Sequence, residues 1–581
     1  MITRGRVIGG VVLLLLLALG WSVYLAVQTQ RDLSRARDAV DALQVAVEVG
    51  DPAARQAAVE QLSSAAASAH DRTDGPWWSL MELLPGYGDD LAGVEALAAS
   101  LDVLSADALT PAVDAVDRLD GLATGDGVDL RVLAGLAPTV SRASDAVDRA
   151  RALVDAEPTD GFVGALREPY QEYVDVISGL DDGLRAATRG LAIAPEMLGA
   201  DGPRDYLLVF QNTAEIRATG GLPGSWALVS AVDGRLTIER QGAATDFPVY
   251  GTDGPVTDLT PAERALFNAQ MGQFFQNPNV TPDFPRAAQV FRSFWDRSYP
   301  DTPIDGVVSL DTVGLSYLLE GTGPVPVGDL TLSAEGVVSS LLNEVYVKVP
   351  DPAEQDAFFQ LAARSIFTAV TGDIESPYRL LTGLERAGSE GRFLVAPFDP
   401  ELAQVLAGTR VEGALDRGDD DVAYVDVALN DATASKMSYY LRYRGELETV
   451  GCRDGRLALS ASLAMGQTIS AVDAAALPPY ITGGGTNFPE IGRQTVNVFL
   501  FAPAGGTFTS LTINGRDITL PEPIVLEGRP AMQVQIEVAR ADDALVTWEM
   551  TAGPDQTAGA EMRLTPSIIP GEQRETAPGC S

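Results

Sequence analysis

Histidine, cysteine and lysine are almost missing from this chain of 581 residues: one His, two Cys and, at Lys348 and Lys436, two Lys. With His70 alone, no mechanism that needs two imidazoles is available, which excludes poly-His zinc sites. The chain has no G-x-S-x-G turn either, so a hydrolase triad has no support. His70 lies in an Ala/Ser-rich helical stretch and reads as a surface residue. Positive charge is scarce, 41 Lys+Arg against 80 Asp+Glu for a formal net charge of −39. A polyanion needs a compensating basic face, so the composition argues against nucleic-acid binding and leaves room only for a local basic pocket. The length suffices for several domains, each with a core of its own.

One long apolar run is present. Val7 to Val27 carries no charge over 21 residues, which at about 1.5 Å each crosses a hydrocarbon core of about 30 Å. No small-x-small cleavage pattern follows it, so it reads as an uncleaved anchor rather than a signal peptide. Arg4 and Arg6 precede it, and the acidic bulk follows. This predicts a short cytoplasmic tail (1–6), a single span (7–27) and an extracytoplasmic remainder at the cell membrane. Cys452 and Cys580 fit that compartment as one disulfide tying down the C-terminal tail, two free thiols being the alternative.

Three patterns follow the span. From 28 to 200 apolar residues step by three and four, as in Val140, Ala143, Val147, Ala150 and Val154, or Tyr170, Tyr173, Ile177 and Leu184. Breaks at Gly50-Asp51-Pro52, Gly75-Pro76, Pro85-Gly86 and Gly125-Asp126-Gly127 fold the helices back on one another, which predicts an antiparallel bundle rather than a continuous stalk. Trp77-Trp78 with Leu80, Leu83 and Leu84 reads as a plug of that bundle, with the bilayer surface as the other reading. From 201 to 430 strands (Tyr206 to Phe210, Trp226 to Val232, Leu236 to Arg240, Val307 to Leu310) alternate with helices, predicting an α/β domain; Asp233-Gly234 marks a tight hairpin. From 431 to 581 short β runs between Gly/Pro turns predict a β-sandwich with a C-terminal tail.

The densest polar constellation, Gln211 to Gly221, directly follows a strand, where ligands bind in α/β folds. Asn212, Glu215 and Arg217 are candidate ligand contacts, with Arg217 offering a planar fork to a phosphate. Internal pairing of Glu215 with Arg217 is the bland alternative. Arg240 and Asp246 follow the hairpin and could lie beside that run; a carboxylate there could hold Mg²⁺ on a pyrophosphate, and a plain surface loop is the competing reading.

The run Asn212-Thr213-Ala214-Glu215-Ile216-Arg217-Ala218-Thr219-Gly220-Gly221, with Lys436-Met437-Ser438-Tyr439-Tyr440-Leu441 and Leu477-Pro478-Pro479-Tyr480, resembles the bacterial membrane-anchored family Domain of Unknown Function 4012. That resemblance implies an actinobacterial-type cell-envelope protein. Order and spacing over about 203–372 are similar, more distantly, to the LytR-CpsA-Psr phosphotransferases, which move glycan polymers from polyprenyl pyrophosphate onto peptidoglycan. Their Tyr-Val-Arg-x-Arg motif is echoed by Tyr346-Val347-Lys348-Val349-Pro350, with one arginine replaced by Lys348 and the other absent. The resemblance makes Arg217, Arg240, Lys348 and Arg364 a candidate site for an anionic lipid-linked glycan or cell-wall polymer, transferred or only bound. The rival expectation is a non-enzymatic envelope scaffold with a degenerate transferase-like domain. Protease shaving of intact spheroplasts tests the topology: the β-rich region should be digested, and its survival would reverse the orientation.

Overall fold

A computed structural model describes residues 4–116, 118–251, 254–372, 374–418, 421–483, 493–538, 544–569 and 573–580, the side chains of 4–16, 19, 48, 114, 120 and 471 excepted. The chain forms two compact units, residues 1–122 with 129–195, and 123–128 with 196–581.

The first unit is helical: α1 (Arg4–Val49), α2 (Pro52–Thr73), α3 (Pro76–Glu82), α4 (Gly88–Val103), α5 (Thr110–Val116), α6 (Leu130–Asp155) and α7 (Gly164–Met197). The expected breaks are real caps. Asp51 accepts from the amides of Ala53 and Ala54 with Pro52 in the first turn of α2, and Asp129 accepts from Arg131 and Val132 at the start of α6. Down α1 and up α2 the contacts run in opposite order, Ala36 and Ala39 near Leu62 and Ala65 and Asp32 with Arg72 at 2.6 Å, so the pair is antiparallel; Leu25 of α1 then meets Trp78 of α3. Ala143, Val147, Ala150 and Val154 of α6 meet Tyr170 and Ile177 of α7 in one core, following the three-and-four spacing.

The anchor expected at 7–27 lies within α1, but the tail 1–6 and the first half of the span fall on residues whose side chains are outside the described set. Among the described residues one helix, Gly88–Val113, is long and apolar enough to cross a membrane; its Ala96, Ala98, Leu104 and Ala108 are buried within the bundle. The Trp77-Trp78 plug needs correction. Trp78 is buried, but Leu80, Leu83 and Leu84 are exposed, because α3 is only seven residues long and presents one narrow face to the bundle.

The second unit begins with β1 (Arg204–Arg217), β2 (Gly220–Val232), β3 (Arg235–Ala243), α8 (Pro261–Phe267), α9 (Phe284–Ser298), β4 (Gly306–Asp311) and α10 (Thr312–Thr322). The hairpin β5 (Val325–Val327) and β6 (Leu330–Leu332) follows, then α11 (Val337–Ser339) and α12 (Val345–Lys348) joined by a π-turn, α13 (Pro352–Thr371), α14 (Pro377–Ser389) and β7 (Phe393–Pro397). The sheet order is β3-β2-β1-β4-β7, with β1 and β4 parallel. Asp233 and Gly234 both take positive φ, 50° and 82°, as the tight β2–β3 turn requires. One face of the sheet is dry: Leu207, Val209, Trp226, Leu228 and Val307 pack on Phe291, Phe294 and Trp295 of α9. The ring pair Trp226–Trp295 meets edge-on at 5.4 Å, and each such ring removes roughly 150–250 Å² from water.

The remaining strands are β8 (Val422–Asp431), β9 (Leu441–Arg453), β10 (Arg456–Gln467), β11 (Gln494–Phe501), β12 (Thr507–Ile513), β13 (Arg516–Asp517), β14 (Ile524–Leu526), β15 (Arg529–Val538), β16 (Ala544–Thr551), β17 (Gly559–Leu564) and β18 (Gln573–Thr576). They form sheets ordered β13-β12-β16-β10-β9-β18 and β14-β15-β11-β8-β17 around one core that includes Val425, Val427, Leu459, Val498 and Trp548. The boundary read at 430/431 falls at the end of β8, whose partners β11 and β17 are both C-terminal. Cys452 and Cys580 are bonded across 128 residues, as expected, beside the parallel β9–β18 pairing.

The end of β1 is tied to these later strands. Arg217 donates through Nη1 to the carbonyls of Asp431 (2.9 Å) and Ile216 (3.1 Å), the Ala218 amide donates to Asn430 Oδ1, and the Ile216 amide to Ser438 Oγ. Burial pulls the Arg217 guanidinium below its ordinary pKa, against the charges of Asp431 and Glu215. Arg217→Met should therefore cost about 1.5–3 kcal/mol of stability, the range for hydrogen bonds that involve a charged group. A thermal or urea melt checks it, and an unchanged melt would return the arginine to a ligand-facing role.

Candidate functional site

The second face of the α/β sheet is not filled. Because side chains alternate along a strand, Tyr206, Leu208 and Phe210 of β1 point away from α9, with Val229 of β2 and with Val308 and Leu310 of β4. Leu208, Phe210 and Val308 are only half-buried. Opposite them stand Leu315 and Leu318 of α10 and a full stripe of α13, from Gln355 and Asp356 through Phe359, Ala362 and Ala363 to Ile366 and Val370. Between them lies a cavity of about 500 Å³. The lining stripe covers fifteen residue steps of α13, so the cavity is about 22 Å long. It is a narrow apolar slot within the size range of ligand pockets.

Polar groups gather in one part of the wall. Asn212 Nδ2 donates to the Tyr346 hydroxyl at 2.7 Å and more weakly to Glu215 at 3.4 Å, while its Oδ1 accepts from the Ala214 amide. Lys436 is ion-paired with Glu215 and sits 4.3 Å from the centre of the Tyr346 ring and 5.8 Å from that of Tyr480. The Tyr480 hydroxyl donates to the Tyr346 carbonyl and accepts from Gln355 Nε2. Burial, reinforced by the Glu215 charge, pushes the Tyr346 phenol well above its ordinary pKa, so it stays protonated. Three sequence runs far apart in the chain, around Asn212, Lys436 and Tyr480, thus meet here. Further along, Asp311 is buried against Arg392 at 2.9 Å and accepts from the Gly314 amide to start α10.

Of the residues expected at a site, Asn212 and Glu215 line the cavity. Arg217, Arg240, Lys348 and Arg364 are not among its lining residues. Arg217 turns to the Asp431 carbonyl. Arg240 stacks on Tyr299, 4.7 Å from the ring centre. Lys348 pairs with Glu344 one helical turn back at 2.6 Å, and Arg364 is exposed on α13. The four cations do not converge, so an anion clamp of the kind the distant resemblance implied is not assembled from them. Asp246 is exposed and accepts from the Ala243 amide, closing the turn after β3; its charge, after burial, raises the pKa of Asp356 at the cavity wall. Among the described residues no group of three or more His, Cys, Asp or Glu could hold a metal, so Mg²⁺ has no ready-made site and no step is derived through it.

The residues the sequence reading missed are the apolar liners and Lys436. A signal existed. Leu207-Leu208-Val209-Phe210 is apolar on both strand faces, which a sheet with one wet side would not be.

No curated protein matches the chain. Among solved structures, the X-ray structure of the Lin1025 protein from Listeria innocua is similar at 14% identity, over 35% of this chain and 95% of that one, with a TM-score of 0.16. Residues 201–346, which span β1 and end on Tyr346, match the family described as a protein of unknown function, DUF4012, the same family that the runs around Asn212, Lys436 and Tyr480 resemble.

Proposed function

We propose that this chain is a membrane-anchored, extracytoplasmic envelope protein that binds the hydrocarbon chain of a lipid-linked glycan precursor, in the polyprenyl-pyrophosphate class, without transferring it. The observation that carries the reading is the long, mainly apolar cavity with the polar cluster of Asn212, Glu215, Tyr346 and Lys436 in its wall. Such a slot fits one extended hydrocarbon chain, with the polar head toward Asn212, Tyr346 and Lys436.

The single span at 7–27 supplies the membrane in this reading, and the Cys452–Cys580 bond suits an oxidising compartment outside the cytoplasm. The α/β layer takes the LytR-CpsA-Psr-like role of lipid holder, and the two later sheets form a β-sandwich on it. Binding is preferred to transfer because the arginines that would clamp a pyrophosphate are engaged elsewhere. That same observation favours the second reading, a scaffold whose transferase-like domain has been retired.

Filling the slot separates the two. Ala363→Trp places a large apolar side chain in empty space, so the full chain should keep or raise its melting temperature. Its affinity for a polyprenyl-phosphate probe should fall at least about tenfold, about 1.4 kcal/mol. Equal affinity in the variant and the parent, or no binding by the parent, leaves the scaffold.

A further inference from the structure

We infer that α3 and the turn after it, Trp77 to Tyr87, form a second membrane contact that wedges apolar side chains into the outer leaflet beside the anchor; the inference rests on the anchor reading of 7–27 proposed above. The segment from Gly75 to Tyr87, Gly-Pro-Trp-Trp-Ser-Leu-Met-Glu-Leu-Leu-Pro-Gly-Tyr, carries one charge, Glu82. Its large apolar side chains face out: Leu80 is 55% exposed, Leu83 77%, Leu84 51% and Tyr87 65%. Four such residues within eight positions are more than the singly scattered apolar side chains of an ordinary surface.

The position of this patch identifies what covers it. Trp77 Nε1 donates to Ser22 Oγ at 3.1 Å, and Trp78 packs with Leu25 and Met81. Ser22 and Leu25 belong to the uncharged run that ends at Val27, so the tryptophans are fixed to the span itself. Five residues separate Ser22 from Val27, which places the Trp77 contact about 7–8 Å inside the end of the apolar run. That depth is where interfacial segments bury their apolar faces, at the boundary of headgroups and acyl chains. The same stretch of α1 exposes Trp21 and Tyr24, stacked at 5.5 Å, the residue types that gather at membrane interfaces. With one acidic charge and no basic residue in the wedge, attraction to anionic lipids plays no part; the contact is apolar insertion and is indifferent to lipid charge.

The test uses the full chain, with the disulfide oxidised, reconstituted in phosphatidylcholine vesicles. Leu83→Cys carries an environment-sensitive fluorophore, and Gln56→Cys, on an exposed position about 26 Å from the Thr73 end of α2, serves as the control. The Leu83 label should emit blue-shifted and be quenched several-fold more than the control by nitroxides on the lipid acyl chains, equally with and without anionic lipid. A chain that floats with the vesicles while its Leu83 label stays as wet as the Gln56 label overturns the wedge alone. A chain that does not float overturns the anchor and the wedge with it. Protection that follows the protein-to-lipid ratio rather than quencher depth marks a protein partner and overturns the lipid assignment.

Discussion

The end of β1 has to do two things at once, and the second unit is organised by that constraint. Asn212 and Glu215 close part of the cavity wall, while Ile216, Arg217 and Ala218 bind Ser438, Asp431 and Asn430 of the later strands. A regular strand could do this only by alternation, and the shift of register between Asn212 and Ile216 in the pairing with β2 breaks it. The irregularity is held by buried amide groups. Gln211 Oε1 accepts from the Gly221 amide at 2.8 Å and from Asn279, whose Nδ2 also donates to the Gly221 carbonyl at 2.7 Å. The glycine pair follows from the same closeness: a Cβ on Gly221 would lie 2.3 Å from the Asn212 backbone, and Gly220 sits at φ 134°.

From this joint the two faces of the sheet diverge. Toward α9 the side chains are aromatic and interdigitated, with Trp226, Phe247, Phe294 and Trp295 in ring contact, which supplies the rigidity. Toward α13 the Leu, Ala, Ile and Val liners are joined by Tyr206, Phe210, Phe359, Phe367 and Phe393, and the helix stands off instead of closing down. A dry, well-packed face lets the other remain open, because the sheet does not depend on the open face for its integrity.

Much of this was legible in the sequence and some was not, for identifiable reasons. The turn at Asp233-Gly234, the cap at Asp51 and the seams of α6 and α7 depend on local chemistry, and they stand where the spacing put them. Cys452 and Cys580 were paired by count and compartment alone. Arg217 turns to the Asp431 carbonyl, a partner 214 residues away that no local spacing indicates. Lys348 was taken from a motif, but Glu344 four residues earlier offered an intrahelical partner visible in the sequence. The cavity was the least legible. Apolar liners look the same in sequence whether a helix covers them or stands off, and only the tertiary position of α13 decides it.

Charge accounting narrows what such a slot selects. Of the two lysines in the chain, only Lys436 lines the cavity, and Glu215 already neutralises it. Asp311 is matched by Arg392, and Asp356 adds a further acid at the wall. A doubly charged phosphate brought among these groups would meet no uncompensated cation and would have to compete with Glu215 for Lys436, at a desolvation cost that charge pairing in a protein interior often fails to offset. In the proposed reading affinity comes from the apolar length of the ligand, at roughly 0.8 kcal/mol for each buried methylene. The polar end fixes orientation through the neutral donors and acceptors of Asn212, Tyr346 and Gln355. In the proposed reading a lipid carrier is chosen by its chain, its polar end meets Asn212, Tyr346 and Lys436 without gaining a free cation, and its release requires no chemistry at the cavity wall.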